Sequence, residues 1–347
     1  MLTRDDQGAL PQTGRILLAV SGGGDSMAML HMAGDGRCAG RLHVATVDHG
    51  LRAGSADEAR MVAQAAASRG LTHTTLVWRR ASTRPTQAAA REARYALLVD
   101  EARRVGASAI ALAHTCDDQA ETVLMRALRI GASSGTRGLS GIAPLATHEG
   151  IRLCRPLLDT KRGTLRDHLS ASGAAWTDDP SNDDPAHERV RIRRRLASGD
   201  LPSAASIARL AALSRRHRAW LDARTAQALG ACLRRDHEAL RLALPCPAPT
   251  LARDILSTLA MAAGGVRYRP RLAVLEPVRR AWQDGARLQV AVGGALVASA
   301  RGELHARREA RAGATPAPLD PRAAFRRFRP ASEDAIAAVL DGLSRSR

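Results

Sequence analysis

The sequence predicts an α/β protein: a doubly wound parallel sheet followed by a smaller helical or α+β domain. Three observations carry this expectation. Over the first half, short apolar runs alternate with amphipathic stretches of helical length, the pattern of strands joined by crossover helices. The chain has 347 residues, room for about two domains. Hydrophobic residues make up 45% of it, enough to bury a core without disulfides, which argues against disorder as the main state.

The elements follow in order. Arg15–Val20 (RILLAV) reads as a buried strand, and Met27–Ala33 begins a helix. Leu42–Val47 is a second strand, followed by a helix near Ala56–Ser68. Leu71–Trp78 is a third strand, with a helix over about Thr86–Val105. Ser108–Ala113 (SAIALA) is a fourth, and the next helix spans about Cys116–Ile130. Ligands of such sheets sit at the carboxyl ends of the strands, so chemistry is expected just after Val20, Val47, Trp78 and Ala113. A glycine-rich loop, Gly131–Gly141, comes next, then a short helix at Lys161–Gly173 and an acidic turn at Asp178–Pro185 (DDPSNDDP). Glu188–Leu196 is an arginine-dense helix, and Leu201–Pro202 is a hinge. Ala204–Arg235 reads as helical, with Ile207, Leu210, Leu213, Trp220 and Leu221 on an apolar stripe. Leu240–Leu244, Leu288–Val292 and Ala295–Ala300 read as strands, the last two joined by a Gly293–Gly294 hairpin turn. The division expected is 1–200, 201–312 and a loose Ala/Pro/Arg-rich tail, 313–347.

Composition narrows the function classes. No apolar run is long enough to span a membrane, and Met1–Gly14 lacks the apolar stretch of a signal peptide. The five cysteines are scattered and form no CxxC pair, which supports neither a disulfide framework nor a zinc or iron–sulfur site. The expected compartment is the cytoplasm. Lys+Arg is 52 and Asp+Glu 34, a formal charge of +18, and Lys161 is the sole lysine. Such an excess attracts polyanions; a compositional bias toward Ala and Arg accounts for it equally.

The sharpest local signal is Ser21–Ser26 (SGGGDS), directly after the first strand. Gly22, Gly23 and Gly24 let the backbone approach a ligand and adopt positive φ. The amides of such a turn and the following helix N-terminus form an anion cradle. Asp25 is out of place beside phosphates unless it holds Mg²⁺ that bridges them. Walker A, Rossmann and nucleophile-elbow patterns all fail here. A second signal is His114–Thr122 (HTCDDQAET) after the fourth strand. Asp117 and Glu121 share a helix face with Asp118 beside them. The acids either cap the helix, with Thr115 as N-cap, or face the nucleotide and take Mg²⁺ or a cationic amine. Gln87, Arg91, Arg94 and Tyr95 share a face of the helix before it.

SGGGDS resembles the pyrophosphate loop (SGGxDS) of the N-type ATP pyrophosphatases, the PP-loop superfamily, and implies an adenine nucleotide alpha hydrolase-like fold. The order and spacing of VDHGLR (Val47–Arg52), QAAAREARY, HTCDDQAET, RPLL (Arg155–Leu158) and DDPSN (Asp178–Asn182) resemble the tRNA(Ile)-lysidine synthetases over about residues 15–200. The Gly293–Glu309 hairpin region resembles their second domain more weakly. The resemblance implies an ATP-dependent ligase that joins L-lysine to C2 of the wobble cytidine of tRNA(Ile) with a CAU anticodon, through an adenylated intermediate, releasing AMP and pyrophosphate. It implies ATP at Ser21–Ser26, Asp48 and His49, with Mg²⁺ on Asp25. It implies a lysine and metal pocket at His114, Asp117, Asp118 and Glu121, and Arg91 and Arg94 for tRNA or transition-state charge. Residues 1–200 are then the catalytic domain and 201–312 a tRNA-binding domain. Arg189 and Arg193 match the family, whereas Val190 stands where it often has Asn, so no asparagine role carries over. Longer members carry a further carboxyl-terminal domain; this chain ends at Arg347. A homodimer is one option for its oligomeric state. The competing readings are a thiolating PP-loop enzyme, which usually carries cysteine pairs, and a non-catalytic tRNA-binding nucleotide sensor.

Overall fold

Strand β1, Arg15–Ala19, carries three successive fully buried residues, Ile16, Leu17 and Leu18. Alternation sends Ile16 and Leu18 into one apolar layer and Leu17 into another. A strand buried on both faces needs helices on both, as in doubly wound sheets. The computed structural model describes residues 10–34, 39–50, 54–78, 86–129, 136–178, 186–236, 239–266, 269–309, 329–330 and 334–345. Two compact units divide the chain: 1–128 with 141–212, and 129–140 with 213–347.

In the first unit the remaining strands are β2 (Leu42–Asp48), β3 (Thr72–Val77), β4 (Ala107–Leu112), β5 (Leu145–His148) and β6 (Ile151–Cys154). The helices are α1 (Gly24–Gly34), α2 (Ser55–Ala67), α3 (Gln87–Arg104), α4 (Cys116–Arg129), α5 (Arg162–Ala171) and α6 (Glu188–Ala197). The strands lie in the order β5-β6-β4-β1-β2-β3. All neighbours pair in parallel except β5 with β6. Helices α1, α2 and α5 cover one face through Met27, Leu30, Val62, Leu165 and Leu169. Helix α3 covers the other through Tyr95, Leu98, Val99 and Ala102. The hairpin β5–β6 had no counterpart in the sequence reading. Its strands have four residues each, too few for periodicity to register, and its turn places Glu149 as well as Gly150 at positive φ.

The topology fixes where a ligand sits. From β1 the chain steps outward to β2 and β3, then returns to lay β4 on the opposite side of β1. The loops leaving β1 and β4 therefore diverge and leave a crevice at the strands' carboxyl ends.

The unit boundary falls within α7, Ala204–Cys232. The second unit holds β7 (Leu233–Asp236), β8 (Ala239–Leu242), α8 (Pro249–Gly264), α9 (Leu272–Gln283), β9 (Leu288–Val292), β10 (Ala295–Ala300), β11 (Glu303–Arg308) and α10 (Asp334–Arg345). Its sheet is antiparallel, in the order β7-β8-β11-β10-β9. The expected hairpin turn is present, with Gly293 and Gly294 both at positive φ. Trp282 is buried, and its indole N–H is shared between the carbonyls of Leu244 at 2.9 Å and Gly302 at 3.1 Å.

Three expectations change. The helix expected to run to Arg235 stops at Cys232, because Leu233–Asp236 pairs with β8. The expected tail is not all tail: α10 buries Ile336 and Leu340 in the second unit's core. The stripe on α7 is only partly buried. Ile207 and Leu221 are inside, but Leu213 is 62% and Trp220 58% exposed. The middle of α7 also turns charged groups inward, beside the buried Leu221, Ala226 and Leu229. Arg218 donates to Asp222 at 2.9 Å and pairs with Asp254 of α8. A buried charge network there shares the inward face with apolar residues.

Candidate active site

The loop Ser21–Ser26 leaves β1 and opens into α1 at the crevice. Gly22 has φ +90, a conformation strained for any L side chain. A Cβ on Gly24 would stand 3.4 Å from the Trp176 ring, and Thr177 N–H bonds the Gly22 carbonyl at 3.0 Å. Segment 176–177 thus backs the loop. Within it, Ser26 Oγ donates to the Gly23 carbonyl at 2.9 Å and accepts from the Ser21 N–H at 3.1 Å. The hydroxyls of Ser21 and Ser26 lie 3.2 Å apart. The loop is thereby held rigid before any ligand arrives.

In front of it lies a cleft of about 740 Å³, walled by the ends of β1, β2 and β4. Val20, Val47 and Ala113, three of the four strand-end positions expected from sequence, line it. The fourth, after Trp78, runs into 79–85, outside the described residues. Ser21, Gly23, Gly24, Asp25, Ser26, His49, Arg91, Arg94, His114 and Asp118 all contribute to the wall. Six arginines but only four carboxylates line the cleft, so its field favours anions.

The carboxylates are tied to guanidinium groups. Arg162, first residue of α5, reaches two of them and the buried Glu121. Its Nε donates to Asp25 Oδ2 at 3.0 Å, its Nη2 to Asp118 Oδ1 at 3.1 Å, and its Nη1 to Glu121 Oε1 at 3.5 Å. Glu121 is wholly buried and also pairs with Arg189 at 2.7 Å and Arg193 at 2.8 Å, both from α6. Asp118 does two jobs. Its Oδ2 accepts from Thr115 N–H at 2.9 Å, and Thr115 Oγ1 accepts from Asp118 N–H at 3.3 Å. This is a capping box for α4, worth about 1 kcal/mol. The capping reading therefore holds, and the same carboxylate also meets Arg162.

Among the expected residues, Gly22, Asp48, Asp117 and Glu121 do not line the cleft: Glu121 is wholly buried against its guanidinium partners, and the other two carboxylates are captured locally. Asp117 Oδ2 accepts the Arg162 backbone N–H at 2.8 Å and so caps α5. Asp48 Oδ1 accepts the Gly50 N–H at 2.8 Å, an Asx turn that orients the chain after β2. In both cases a carboxylate beside unpaired helix or turn amides is captured by the nearer donor. Leu51, Arg52 and 179–182 of the motif segments lie outside the described residues, as do 131–135 of the glycine-rich loop.

Burial shapes the electrostatics. Desolvation raises the Asp25 carboxyl above the ordinary range against the pull of Arg162, and Asp118 and Asp117 add to the rise. Burial also pushes Asp118 up, but Arg162, His114 and Arg189 outweigh it and hold the group below its usual value. His114 is driven down to about 3, by burial first and then by Arg155, with Arg94 and Arg91 adding to it, so its imidazole is neutral at physiological pH. His49 is lowered by burial and by Arg94, and its ring meets Trp78 edge-on. Arg91 and Arg94 both lie over the Tyr95 ring, at 5.1 and 5.4 Å.

Several buried polar atoms have no protein partner: Asp25 Oδ1, His114 Nδ1, Arg94 Nε and Arg155 Nε. Each such group costs about 1–3 kcal/mol unless something satisfies it, which marks this wall as built for a polar ligand. Among the described residues no group of three His, Cys, Asp or Glu is placed to hold a metal. Mg²⁺ usually takes one or two carboxylates and completes its shell with phosphates and water. Asp25 Oδ1 alone fits that requirement.

Sequence reasoning missed Arg162 and Arg166 as cleft residues. A signal for Arg162 was present. Lys161 and Arg162 stand at a helix N-terminus, where the macrodipole disfavours cations. A local rule broken without local compensation points to a tertiary reason.

The parallel sheet, the switch point and the glycine loop define a PP-loop nucleotide-binding protein. The family profile described as a PP-loop domain matches residues 4–199. Comparison with known proteins narrows this. The chain is 41% identical over 313 residues to a tRNA(Ile)-lysidine synthase of Methylobacterium sp. (strain 4-46), covering 86% of this chain and 90% of that protein. It is 50% identical over 188 residues to that of Ruegeria pomeroyi, covering 53% of this chain and 44% of that protein. It is 46% identical over 217 residues to that of Bradyrhizobium diazoefficiens, covering 60% and 59%. The chain thus spans about half the length of these last two curated relatives. It belongs to the tRNA(Ile)-lysidine synthase family.

Proposed function

We propose that this chain ligates L-lysine to C2 of the wobble cytidine in tRNA(Ile) bearing a CAU anticodon, with ATP as the energy source, in the cytoplasm. The observation that carries the reading is the rigid SGGGDS loop at the β1–β4 switch point, facing an arginine-lined cleft, in a chain of this family. The amides of Gly22–Ser26 and the start of α1 cradle the nucleotide phosphates. Arg162, Arg166, Arg189 and Arg193, all on the cleft wall, balance their charge.

The chemistry requires two displacements. The cytosine C2 oxygen attacks the α-phosphorus, and pyrophosphate leaves. The lysine ε-amine then attacks C2, and the oxygen departs with AMP. Activation is needed because that oxygen is otherwise a very poor leaving group. Asp25 Oδ1 is the oxygen that would hold Mg²⁺, which supplies charge neutralisation between the phosphates. Asp118 on the cleft wall, with the buried Glu121 one turn further along α4, receives the lysine ammonium and accepts its proton, since only the neutral amine attacks. Arg91 and Arg94 face the cleft for tRNA phosphate or developing charge, with neutral His114 between them and the acids. Asp117 acts at one remove by fixing Arg162.

The test incubates the chain with ATP, Mg²⁺ and this tRNA, with and without labelled lysine. Lysine enters the tRNA with one AMP formed per lysine, and Asp25→Asn abolishes AMP formation without loss of fold. A requirement for a sulfur donor would support a thiolating enzyme, and no AMP at all would support a nucleotide sensor.

A further inference from the structure

Glu121 and Asp118 are the acids suited to a substrate ammonium, yet their oxygens are taken. Asp118 Oδ2 holds Thr115 and its Oδ1 holds Arg162. Glu121 Oε1 faces Arg193 and Arg162, and its Oε2 faces Arg189. Asp25 Oδ2 holds Arg162. Of the six oxygens, Asp25 Oδ1 and Glu121 Oε2 accept no hydrogen bond, and Oε2 is covered by its ion pair with Arg189. Three carboxylates are matched by three guanidinium groups, and Arg162 alone contacts all three acids. An arriving ammonium therefore meets a wall already neutralised.

We propose that Arg162 is a charge switch that makes nucleotide binding precede lysine binding. Its guanidinium occupies the cation position among Asp25, Asp118 and Glu121. Phosphates seated on the Ser21–Ser26 loop are neighbours of this guanidinium, because Asp25 belongs to that loop and lies 3.0 Å from Nε. Arginine pairs bidentately with phosphate. The nucleotide draws the guanidinium from carboxylate to phosphate, and the uncovered acids then take the lysine ammonium. Arg162 is suited to swing because its main chain is anchored apart from its side chain: the backbone N–H is held by Asp117 at 2.8 Å, and the preceding Thr160 carbonyl by Cys116 N–H at 2.9 Å. Arg189 and Arg193 stay on Glu121 and keep it from carrying an uncompensated buried charge. Arg162 is thus a positioning residue, and its role rests on the ligase reading above.

The experiment measures lysine binding to the full chain by calorimetry, with and without Mg²⁺ and a non-hydrolysable α,β-methylene ATP analogue. Wild type binds lysine at least tenfold more tightly with the analogue. In Arg162→Gln the ratio falls toward one, because lysine binds the nucleotide-free chain more tightly. Arg162→Lys, which keeps the charge but cannot span three acids, gives an intermediate ratio, and carries the test if Arg162→Gln melts early. A purely structural role would lower both affinities and leave their ratio unchanged. Equal lysine affinity with and without the analogue in wild type, or an unchanged ratio in both variants, overturns the switch. If wild type incorporates labelled lysine but shows no such ratio, the switch alone fails. If it neither binds nor incorporates lysine, the ligase reading falls and the switch with it.

Discussion

Glu101 shows how much one side chain depends on its surroundings. It lies on α3, buried, and accepts Arg104 Nε at 2.6 Å and Nη2 at 2.7 Å, with His43 Nε2 3.0 Å from the same Oε1. The hydrogen bonds from Arg104 lower its carboxyl to about 2, against the opposing effect of burial. A carboxylate held below its unfolded value stabilises the native state above about pH 4.5 and loses that contribution as pH falls toward 2. Glu101→Gln is therefore expected to flatten the stability profile across that window and to cost about 1–3 kcal/mol at neutral pH, read by denaturant titration at a series of pH values. The Arg104 partner at i+3 is visible in the sequence, whereas His43 is far away along the chain and is not. The loop residues Ser21–Ser26 were legible for the opposite reason. Their function resides in backbone amides and glycine conformations that lie within six consecutive positions. Arg162 lies between these cases: its place at a helix start was visible, its three partners were not.

Glycine separates two elements that look alike in sequence. Gly230 sits within α7, and a Cβ there would meet only Val339 Cγ2 at 3.7 Å, an ordinary contact. Gly264 ends α8, and a Cβ there would fall 2.1 Å from the Gly293 carbonyl of the β9–β10 turn. Gly230→Ala is expected to stabilise the fold by about 0.4–1 kcal/mol through the unfolded chain. Gly264→Ala is expected to cost about 1–3 kcal/mol, because backbone must give way. Melting curves of the two variants should move in opposite directions, and a shared direction would contradict this packing. The first four strands of the first unit and the helices between them were legible because apolar runs and amphipathic stretches alternate there. Strands β5, β6, β7 and β11 were not, since runs of four to six residues find their identity in the neighbour they pair with. On α7 the apolar stripe is only part of the inward face, because Arg218, Asp222 and Asp254 compensate one another across two helices beside it.

At the scale of the molecule, the charge of +18 becomes a statement about partners. Arg191, Arg194 and Arg195 are exposed on α6, whereas Arg189 and Arg193 turn inward to Glu121. Replacing the exposed three together by Gln is expected to weaken tRNA binding and to reduce the slope of log affinity against log salt by roughly 2–3, one counterion per lost phosphate contact. Filter binding across a salt series measures it; an unchanged slope would assign the arginine excess to composition alone.

By itself the sequence determined the alternation of strands and helices, the parallel sheet, the phosphate loop and the Gly293–Gly294 turn, because each is written in neighbouring residues. The resemblance to the ligase family was likewise carried by short motifs in order. Only the tertiary structure decided which acids face the cleft. Asp117 and Asp118 are adjacent, yet one caps α5 and the other meets Arg162, since a carboxylate goes to the donor that folding brings within reach. Only the tertiary structure, too, folded α10 into a core and placed Arg162 among three carboxylates from two other helices. Burial and charge pairing depend on distances through space, and a linear pattern records distance only along the chain.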